Sequence, residues 1–147
     1  MANVGKWNAP SAPVTVLSTE LNALANNTLS AASGAIANQT NLDAYADFEL
    51  VLASLSPAAG AYITLYLIEA IDGTNYADAT NLRLKTSQFL GVFPLDTTAA
   101  TAQRITLRNV VIPPSAFKIV LDNQAGVALA ASGNTLKMLP YDVNLNG

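Results

Sequence analysis

The stretch 103–144 constrains the fold most, because it contains three strand-like runs in series, each closed by turn residues. In the first run Ile105 and Leu107 alternate with polar residues, the two-residue period of a strand with one buried face. The adjacent prolines Pro113 and Pro114 end this run, since neither can donate a backbone hydrogen bond inside a ladder. Two further alternating runs follow, separated by turns rich in glycine and asparagine. The segment therefore predicts antiparallel β structure.

The residues before this stretch continue the same pattern. Alternation from Leu42 to Leu55 predicts a long strand with an acidic outer face, and 56–60 predicts a hairpin connection. The return strand, 61–71, is largely apolar on both faces, so we expect it to be covered twice, by two layers or by a partner subunit. Strand neighbourhoods begin near Val14, Thr28, Leu42, Ala61, Leu82, Gln88, Gln103, Ala116 and Thr135.

These elements predict an all-β fold, an antiparallel β-sandwich of jelly-roll type with roughly eight or nine short strands. A closed barrel is the less favoured alternative. One short N-terminal helix is expected over 18–25, with Ser18 or Thr19 at its cap. Two prolines, Pro10 and Pro13, interrupt the beginning of the chain, so 1–13 is predicted to be an N-terminal arm and 14–147 a single domain.

The composition limits the classes of partner. Charged residues make up only 12% of the 147 residues, against roughly 25% in a typical globular protein. A surface with few charges is typical of a protein whose exterior contacts other protein, and the alternative is a secreted or stable monomer with an uncharged polar coat. The net charge is −3 and the basic residues are scattered singly, which disfavours nucleic-acid binding. We expect synthesis in the cytoplasm and no membrane contact, because no apolar segment resembles a membrane span or a signal peptide.

The absence of histidine and cysteine excludes most catalytic chemistry. The usual general base near neutral pH, serine–histidine dyads, most zinc sites and disulfides all need one of these two residues. A carboxylate pair from Asp43, Asp47 and Glu49 would suit glycoside hydrolysis, with Asp47 and Glu49 as the reacting pair. No apolar pocket is indicated that would raise the pKa of an acid there, so a solvated or interfacial acidic strip is favoured. We therefore expect no enzymatic activity and no cofactor.

The turn 72–78 presents the oxygens of Asp72, Asn75 and Asp78, which invites a calcium hypothesis. Its spacing departs from the EF-hand loop, and no bidentate glutamate follows at the required place. A structural turn is the favoured interpretation.

Six residues are candidates for partner contacts: Lys6, Trp7, Tyr62, Tyr66, Arg104 and Arg108. The lone tryptophan is either an anchor for a neighbouring subunit or a side chain folded back on its own domain. Outward-pointing basic residues either pair with the acidic face of a neighbouring copy or simply solubilise the surface: Arg83, Lys85, Arg104, Arg108, Lys118 and Lys137. Four tyrosines would form either a sugar-stacking platform or part of the core or an interface: Tyr45, Tyr62, Tyr66 and Tyr76.

Two segments, YITLYLIEAIDGTNYAD (62–78) and RITLRNVVIPPSAFKIVLDNQAGVALAASGNTLKMLPYDVN (104–144), resemble a family of small virion proteins of tailed bacteriophages. The resemblance lies in the IDGTNYAD turn, the PP-x-x-FK run and the N-x-x-G-x-A-x-A-A-S-G-N-T run, and it includes no catalytic motif. Residues 1–41 are not matched. The family consists of capsid decoration, or cement, proteins with jelly-roll-like folds.

The resemblance implies a structural protein on the capsid exterior, made in the host cytoplasm, that stabilises contacts between capsomers. The implied partners are the major capsid protein and other copies of the chain, as a dimer or trimer, and neither nucleic acid nor a membrane. The alternative is a tail, fibre or neck module that binds a host glycan, through tyrosines and the 72–78 loop, or another virion protein.

Overall fold

A computed structural model describes residues 6–144. Its strands are β1 (Lys6–Trp7), β2 (Val14–Leu17), β3 (Thr28–Leu29), β4 (Ile36–Ala37), β5 (Tyr45–Leu55), β6 (Tyr62–Ala70), β7 (Phe89–Pro94), β8 (Thr101–Val111), β9 (Ala116–Gln124), β10 (Thr135–Tyr141) and β11 (Val143–Asn144). Helical structure within 6–144 is limited to the short 3-10 segments Thr19–Leu21, Leu82–Leu84 and Thr86–Gln88. None of these is long and apolar enough to cross a membrane.

The strands form two antiparallel sheets and a small ribbon. In the first sheet the order is β2-β10-β5-β8, and in the second it is β3-β9-β6-β7, with β4 also paired to β9. The ribbon pairs β1 with β11, which brings the two ends of the described chain together. The all-β antiparallel class predicted from the sequence is confirmed.

The core lies between the two sheets, in a sandwich-like arrangement. In β5 the side chains of Phe48, Leu50 and Leu52 are fully buried, as the alternation predicts. Ile63 and Leu65 of the second sheet belong to the same buried cluster. Burial of each such side chain contributes about 1.5–3 kcal/mol, so the facing apolar rows hold the sheets together.

The outward face of β6 is also covered, and this chain supplies the cover itself. Tyr66 and Ile68 pack with Val120 of β9 and with Leu82, which is completely buried. We call these four residues the outer cluster. Leu82 comes from the segment 79–84, which crosses the second sheet on the side away from the core. The strand that is apolar on both faces is therefore covered by two layers of one chain.

The sequence prediction of a strand near Leu82 is wrong. Residues Leu82–Leu84 form a 3-10 turn, because Asn81 adopts a left-handed conformation with φ of 55° and turns the chain. The apolar pattern there reflects one leucine inserted into the outer cluster and an exposed neighbour, Leu84, rather than a strand.

The helix expected over 18–25 is reduced to the 3-10 segment Thr19–Leu21. Ala23 has a positive φ of 53°, which ends the helical path. The backbone N–H of Ala23 donates to the carbonyl of Ala130 instead, at 2.9 Å. Ser18, one of the two residues expected at the cap, forms no side-chain capping hydrogen bond.

The described part of the predicted N-terminal arm lies along the end of the chain. Residues 1–5 lie outside the described residues. The N–H of Asn8 donates to the carbonyl of Asp142 at 3.0 Å, and that of Ser11 donates to the carbonyl of Pro140 at 3.2 Å. Residues 6–8 and 142–144 therefore pair antiparallel, and one further hydrogen bond joins Ser11 to Pro140. We call residues 6–11 and 140–144 together the terminal ribbon. The side chains of residues 6–13 remain exposed.

Candidate functional site

A β-bulge between β5 and β8 organises the most elaborate polar site of the first sheet. Ala46 pairs with Val110 and Phe48 pairs with Leu107, so Asp47 alone faces two residues, Arg108 and Asn109. Asn109 takes the left-handed conformation, with φ of 56°. Its backbone N–H donates to Oδ1 of Asp47 at 2.8 Å, which satisfies the donor that the bulge removes from the ladder.

Tyr141 of β10 connects to this bulge through its hydroxyl. The hydroxyl oxygen lies 2.7 Å from Oδ1 of Asn109 and 3.1 Å from Oδ1 of Asp47, and it donates to this pair of oxygens. Burial raises the pKa of the Tyr141 hydroxyl above its usual value, and the hydrogen bond to the Asp47 carboxylate raises it further. The hydroxyl is thus held in its neutral, donating form.

Three aromatic rings lie in series beside the bulge. The Trp7 ring packs edge-on against Tyr141, with centroids 5.2 Å apart and an interplanar angle of 81°. Tyr141 stacks on Tyr45 at 5.9 Å and 19°. These are the offset and edge geometries that aromatic quadrupoles favour. Trp7 therefore folds back on its own domain and still leaves 64% of its surface exposed.

An open groove of about 370 Å³ lies between the bulge and the terminal ribbon. We call it the ribbon groove; its lining is Trp7, Asn8, Pro10, Asp47, Arg108, Asn109, Leu139 and Tyr141. A second groove of about 290 Å³ shares Asp47 and Leu139 with it and extends toward Glu49, Thr106 and Lys137. The two grooves run along the outward face of the first sheet.

The six predicted contact residues separate into two groups. Trp7 and Arg108 line the ribbon groove, and Lys6 precedes Trp7 on β1. Arg104 lies on the same outward face as Arg108 and forms an ion pair with Glu49 at 2.9 Å.

The two tyrosines of this set lie on β6, in the other sheet. Tyr62 is 41% exposed and remains accessible to a partner. Tyr66 departs from the expectation, because its ring is buried in the outer cluster and packs edge-on against Phe89. Tyr66 is therefore a packing residue of this chain.

Most of the outward basic side chains find partners within the chain. Arg83 pairs with Asp122, and Lys85 pairs with Asp78. The ammonium group of Lys118 lies 4.3 Å from the centroid of the Tyr76 ring, within reach of a cation–π interaction. Of the six, only Arg108 and Lys137 form neither an ion pair, a side-chain hydrogen bond nor a cation–π contact with residues 6–144, and each lines one of the two grooves.

The 72–78 loop uses its oxygens internally. Oδ1 of Asp72 accepts hydrogen bonds from the N–H groups of Thr74 and Asn75, and Oδ2 accepts one from the Asn75 side chain. These bonds hold the pKa of Asp72 at about 2. Hydrogen bonds from Thr80 and from Lys85 likewise lower the pKa of Asp78 to about 2. Within 6–144 no three acidic side chains converge as a metal site would require.

The three acidic residues at and just before the start of β5, Asp43, Asp47 and Glu49, lie in three different environments. Burial, with a contribution from the charge of Asp142, raises the pKa of Asp43. Asp47 is engaged in the bulge and Glu49 in its ion pair with Arg104. Asp47 and Glu49 both line the second groove, and each carboxylate is already bound to a neighbour within the chain.

The contribution of Asn109 and Tyr141 to the site is absent from the sequence prediction. In the sequence, Asn109 follows an alternating run, and Tyr141 follows a proline near the chain end. The left-handed residue of a bulge is often an asparagine, so the Arg-Asn pair at the end of an alternating run is the available signal.

The sequence matches no protein-family model and no curated protein.

Proposed function

We propose that this chain is a structural virion protein that decorates the outer surface of a bacteriophage head and stabilises contacts between capsomers. One observation carries the proposal: within residues 6–144 the outward face of the first sheet is covered only at one end, by the terminal ribbon, whereas the segment 79–84 packs over the outer cluster of the second sheet. Arg104, Thr106 and Arg108 of β8 and Lys137 of β10 all stay exposed on that face. A broad sheet face with mixed charges and partly buried apolar side chains suits a contact with another protein.

We infer that the sandwich is of the jelly-roll type. Apart from the β6–β7 hairpin, successive strand positions alternate between the two sheets, with β3 and β4 sharing one position beside β9. Such alternation is what two Greek keys folded over one another produce. Viral capsid domains are among the proteins that use this architecture, which supports the proposal by fold analogy alone.

The proposed mechanism is linkage between binding and assembly. A protein that binds only the assembled lattice stabilises that lattice by mass action, because disassembly must first release it. Repeated copies, as a dimer or trimer, multiply the effect through avidity. The partners are the major capsid protein and other copies of this chain, contacted through the terminal ribbon and the first sheet. The proposal includes no catalytic activity and no binding to nucleic acid or to a membrane. It places synthesis of the chain in the host cytoplasm.

The deciding experiment is the copy number of the chain per virion, by quantitative mass spectrometry against the major capsid protein in purified particles. A ratio near one, or a simple lattice fraction of it, is the expected result. Only a few copies per particle would indicate a tail or neck protein, which is the alternative that the resemblance left open. Absence from the particle would overturn the virion proposal.

A second experiment tests whether the terminal ribbon contacts the capsid. Deletion of residues 1–13 is expected to weaken binding to decoration-free capsids in a pelleting assay, with the thermal unfolding of the domain still cooperative. This segment pairs with residues 140–144, at the other end of the chain. The deletion therefore leaves the hydrogen bonds between the strands of the two sheets in place. An unchanged capsid affinity would reject the terminal ribbon as a contact.

A further inference from the structure

We propose that the ribbon groove binds a neutral saccharide unit. This site is independent of the virion proposal, because it rests on the groove's own side chains and not on any capsid contact. The groove combines an exposed aromatic ring, apolar walls from Pro10 and Leu139, and a small set of polar groups at one end. At about 370 Å³ it falls within the range of roughly 300–1,000 Å³ that small-ligand sites occupy.

The aromatic wall suits the apolar face of a sugar ring. A pyranose presents several C–H groups on one face, and these pack against the flat surface of an indole or phenol. Trp7 is held edge-on by Tyr141, so its orientation is set while most of its surface stays accessible. Contact with such a ring removes apolar surface from water without requiring any charge on the ligand.

The polar end of the groove has unused hydrogen-bonding capacity. Oδ1 of Asp47 is occupied by Asn109 and Tyr141, but Oδ2 accepts no hydrogen bond from the described residues. The guanidinium of Arg108 and the side-chain amide nitrogen of Asn109 likewise donate to no residue within 6–144. A sugar hydroxyl both donates and accepts, so neighbouring hydroxyls can satisfy the carboxylate oxygen and the two donors together.

The balance of charge selects a neutral ligand. The lining contains one acid, Asp47, and one base, Arg108. An anion attracted by Arg108 would also approach the Asp47 carboxylate, and a cation would meet the reverse conflict. A purely apolar ligand would remove water from both charged groups and leave them without hydrogen bonds. A neutral molecule rich in hydroxyl groups avoids both costs.

Three of the polar side chains, Asp47, Asn109 and Tyr141, are also held in place before any ligand binds. The bulge sets the backbone at Arg108 and Asn109, and the Tyr141 hydroxyl links Asn109 to Asp47 across strands. Groups that are already ordered lose little conformational entropy on binding, which matters most for weak hydrogen-bonding ligands.

The test uses the intrinsic fluorescence of Trp7, which is the only tryptophan of the chain. The full-length protein is titrated with neutral hexoses, N-acetylhexosamines and their disaccharides, and saturation-transfer NMR of each sugar provides a second readout. At least one sugar is expected to give a saturable change in both, with a Kd on the order of 1 mM. No saturable response from any sugar of the panel would overturn the proposal.

Two arginine variants separate the groove from its surroundings. Arg108→Ala is expected to weaken sugar binding about 10-fold, the loss of a charge-assisted hydrogen bond worth about 1.4 kcal/mol. Arg104→Ala, on the same strand and face but outside the ribbon groove, is expected to leave binding unchanged. Equal losses in both variants, or binding of glucuronate and sulfate but of no neutral sugar, would overturn the assignment. Cooperative unfolding by circular dichroism establishes that each variant is folded.

Failure of the saccharide proposal can be distinguished from failure of the virion proposal. Sugar binding by a protein with a handful of copies per particle would leave the groove assignment intact while overturning the decoration role. A high copy number with no sugar response would do the opposite.

Discussion

The guanidinium of Arg83 forms two hydrogen bonds with the carboxylate of Asp122, from Nε to Oδ2 and from Nη2 to Oδ1, each 2.6 Å long. Asp122 is almost completely buried in β9, whereas Arg83 keeps 40% of its side-chain surface in solvent. The hydrogen bonds to Asp122 raise the pKa of the guanidinium. This pair attaches the segment 79–84 to the second sheet, directly beside the Leu82 side chain that completes the outer cluster.

Substitution Arg83→Met is expected to destabilise the protein substantially. It leaves the Asp122 carboxylate buried, with Gln124 as its remaining side-chain donor. Loss of one partner from a buried pair costs roughly 3–5 kcal/mol, and the partial exposure of Arg83 places the expected value near the lower end. Urea unfolding measures the change. The matched control Arg104→Met, which breaks the more exposed pair with Glu49, should cost at most about 1 kcal/mol. Similar losses in both would contradict the structural role assigned to Arg83.

Asn123 is expected to be essential for the loop that precedes Val127. Its side chain is completely buried, donates to the carbonyls of Leu24 and Val127, and accepts from the N–H of Ala125. Asn123→Ala leaves the Val127 carbonyl and the Ala125 N–H without this partner, at a cost of about 1–3 kcal/mol for each one that water does not reach. The Leu24 carbonyl keeps its hydrogen bond from the N–H of Leu129. We expect a loss of at least about 2 kcal/mol in chemical denaturation. The exposed Asn41, changed to alanine as a control, should have an effect within about 0.5 kcal/mol.

Gly126→Ala is expected to cost more than Gly60→Ala, although both glycines have similar positive φ values of 79° and 72°. An added Cβ at Gly60 meets nothing within 4 Å, so that variant measures the left-handed strain alone, about 1 kcal/mol. At Gly126 the same atom would overlap the Cβ of Ala58. Overpacking of this kind adds roughly 1–3 kcal/mol. Equal unfolding free energies for the two variants would refute the close approach of these loops.

Acid is expected to weaken the 72–78 loop at a defined pH. Asp72 and Asp78 have pKa values of about 2 in the fold, below the ordinary value of 3.8. A lowered folded-state pKa means that the unfolded chain binds protons first as pH falls. The stabilisation is therefore complete above about pH 4 and disappears as pH falls through about 2. NMR titration of the two carboxyl groups tests this directly, and ordinary pKa values for both would contradict the hydrogen-bonded loop. Asp72→Asn should remove its share of the pH dependence.

Local pattern was sufficient to predict several elements of this protein. In β5 the alternation alone identified Phe48, Leu50 and Leu52 as buried, because a strand with one face toward a core admits no other register. Prolines 113 and 114 were correctly predicted to follow the end of a strand, and β8 ends at Val111. The all-β class followed from the same signals. The jelly-roll connectivity and the virion role remain proposals.

Where local pattern was insufficient, long-range contacts decided the conformation. The pattern around Leu82 predicted a strand, but these residues form a 3-10 turn, and the Leu82 side chain packs on β6 and β9 in the outer cluster. The helix expected after Ser18 is cut short because Ala23 bonds to Ala130, a residue more than a hundred positions away. Intrinsic propensity differs by less than about 1 kcal/mol between such states, so one tertiary contact is enough to override it.

The sequence by itself determined which residues face the core, since the period of apolar residues along each strand follows from covalent geometry. It also determined that histidine and cysteine chemistry is absent. Only the tertiary structure decided which strands are neighbours, that Tyr66 is buried while Tyr62 is exposed, and that Trp7 lies beside Arg108 in one groove. The physical reason is that a strand encodes its two faces locally, whereas its neighbours and its bulges depend on the pairing of distant segments.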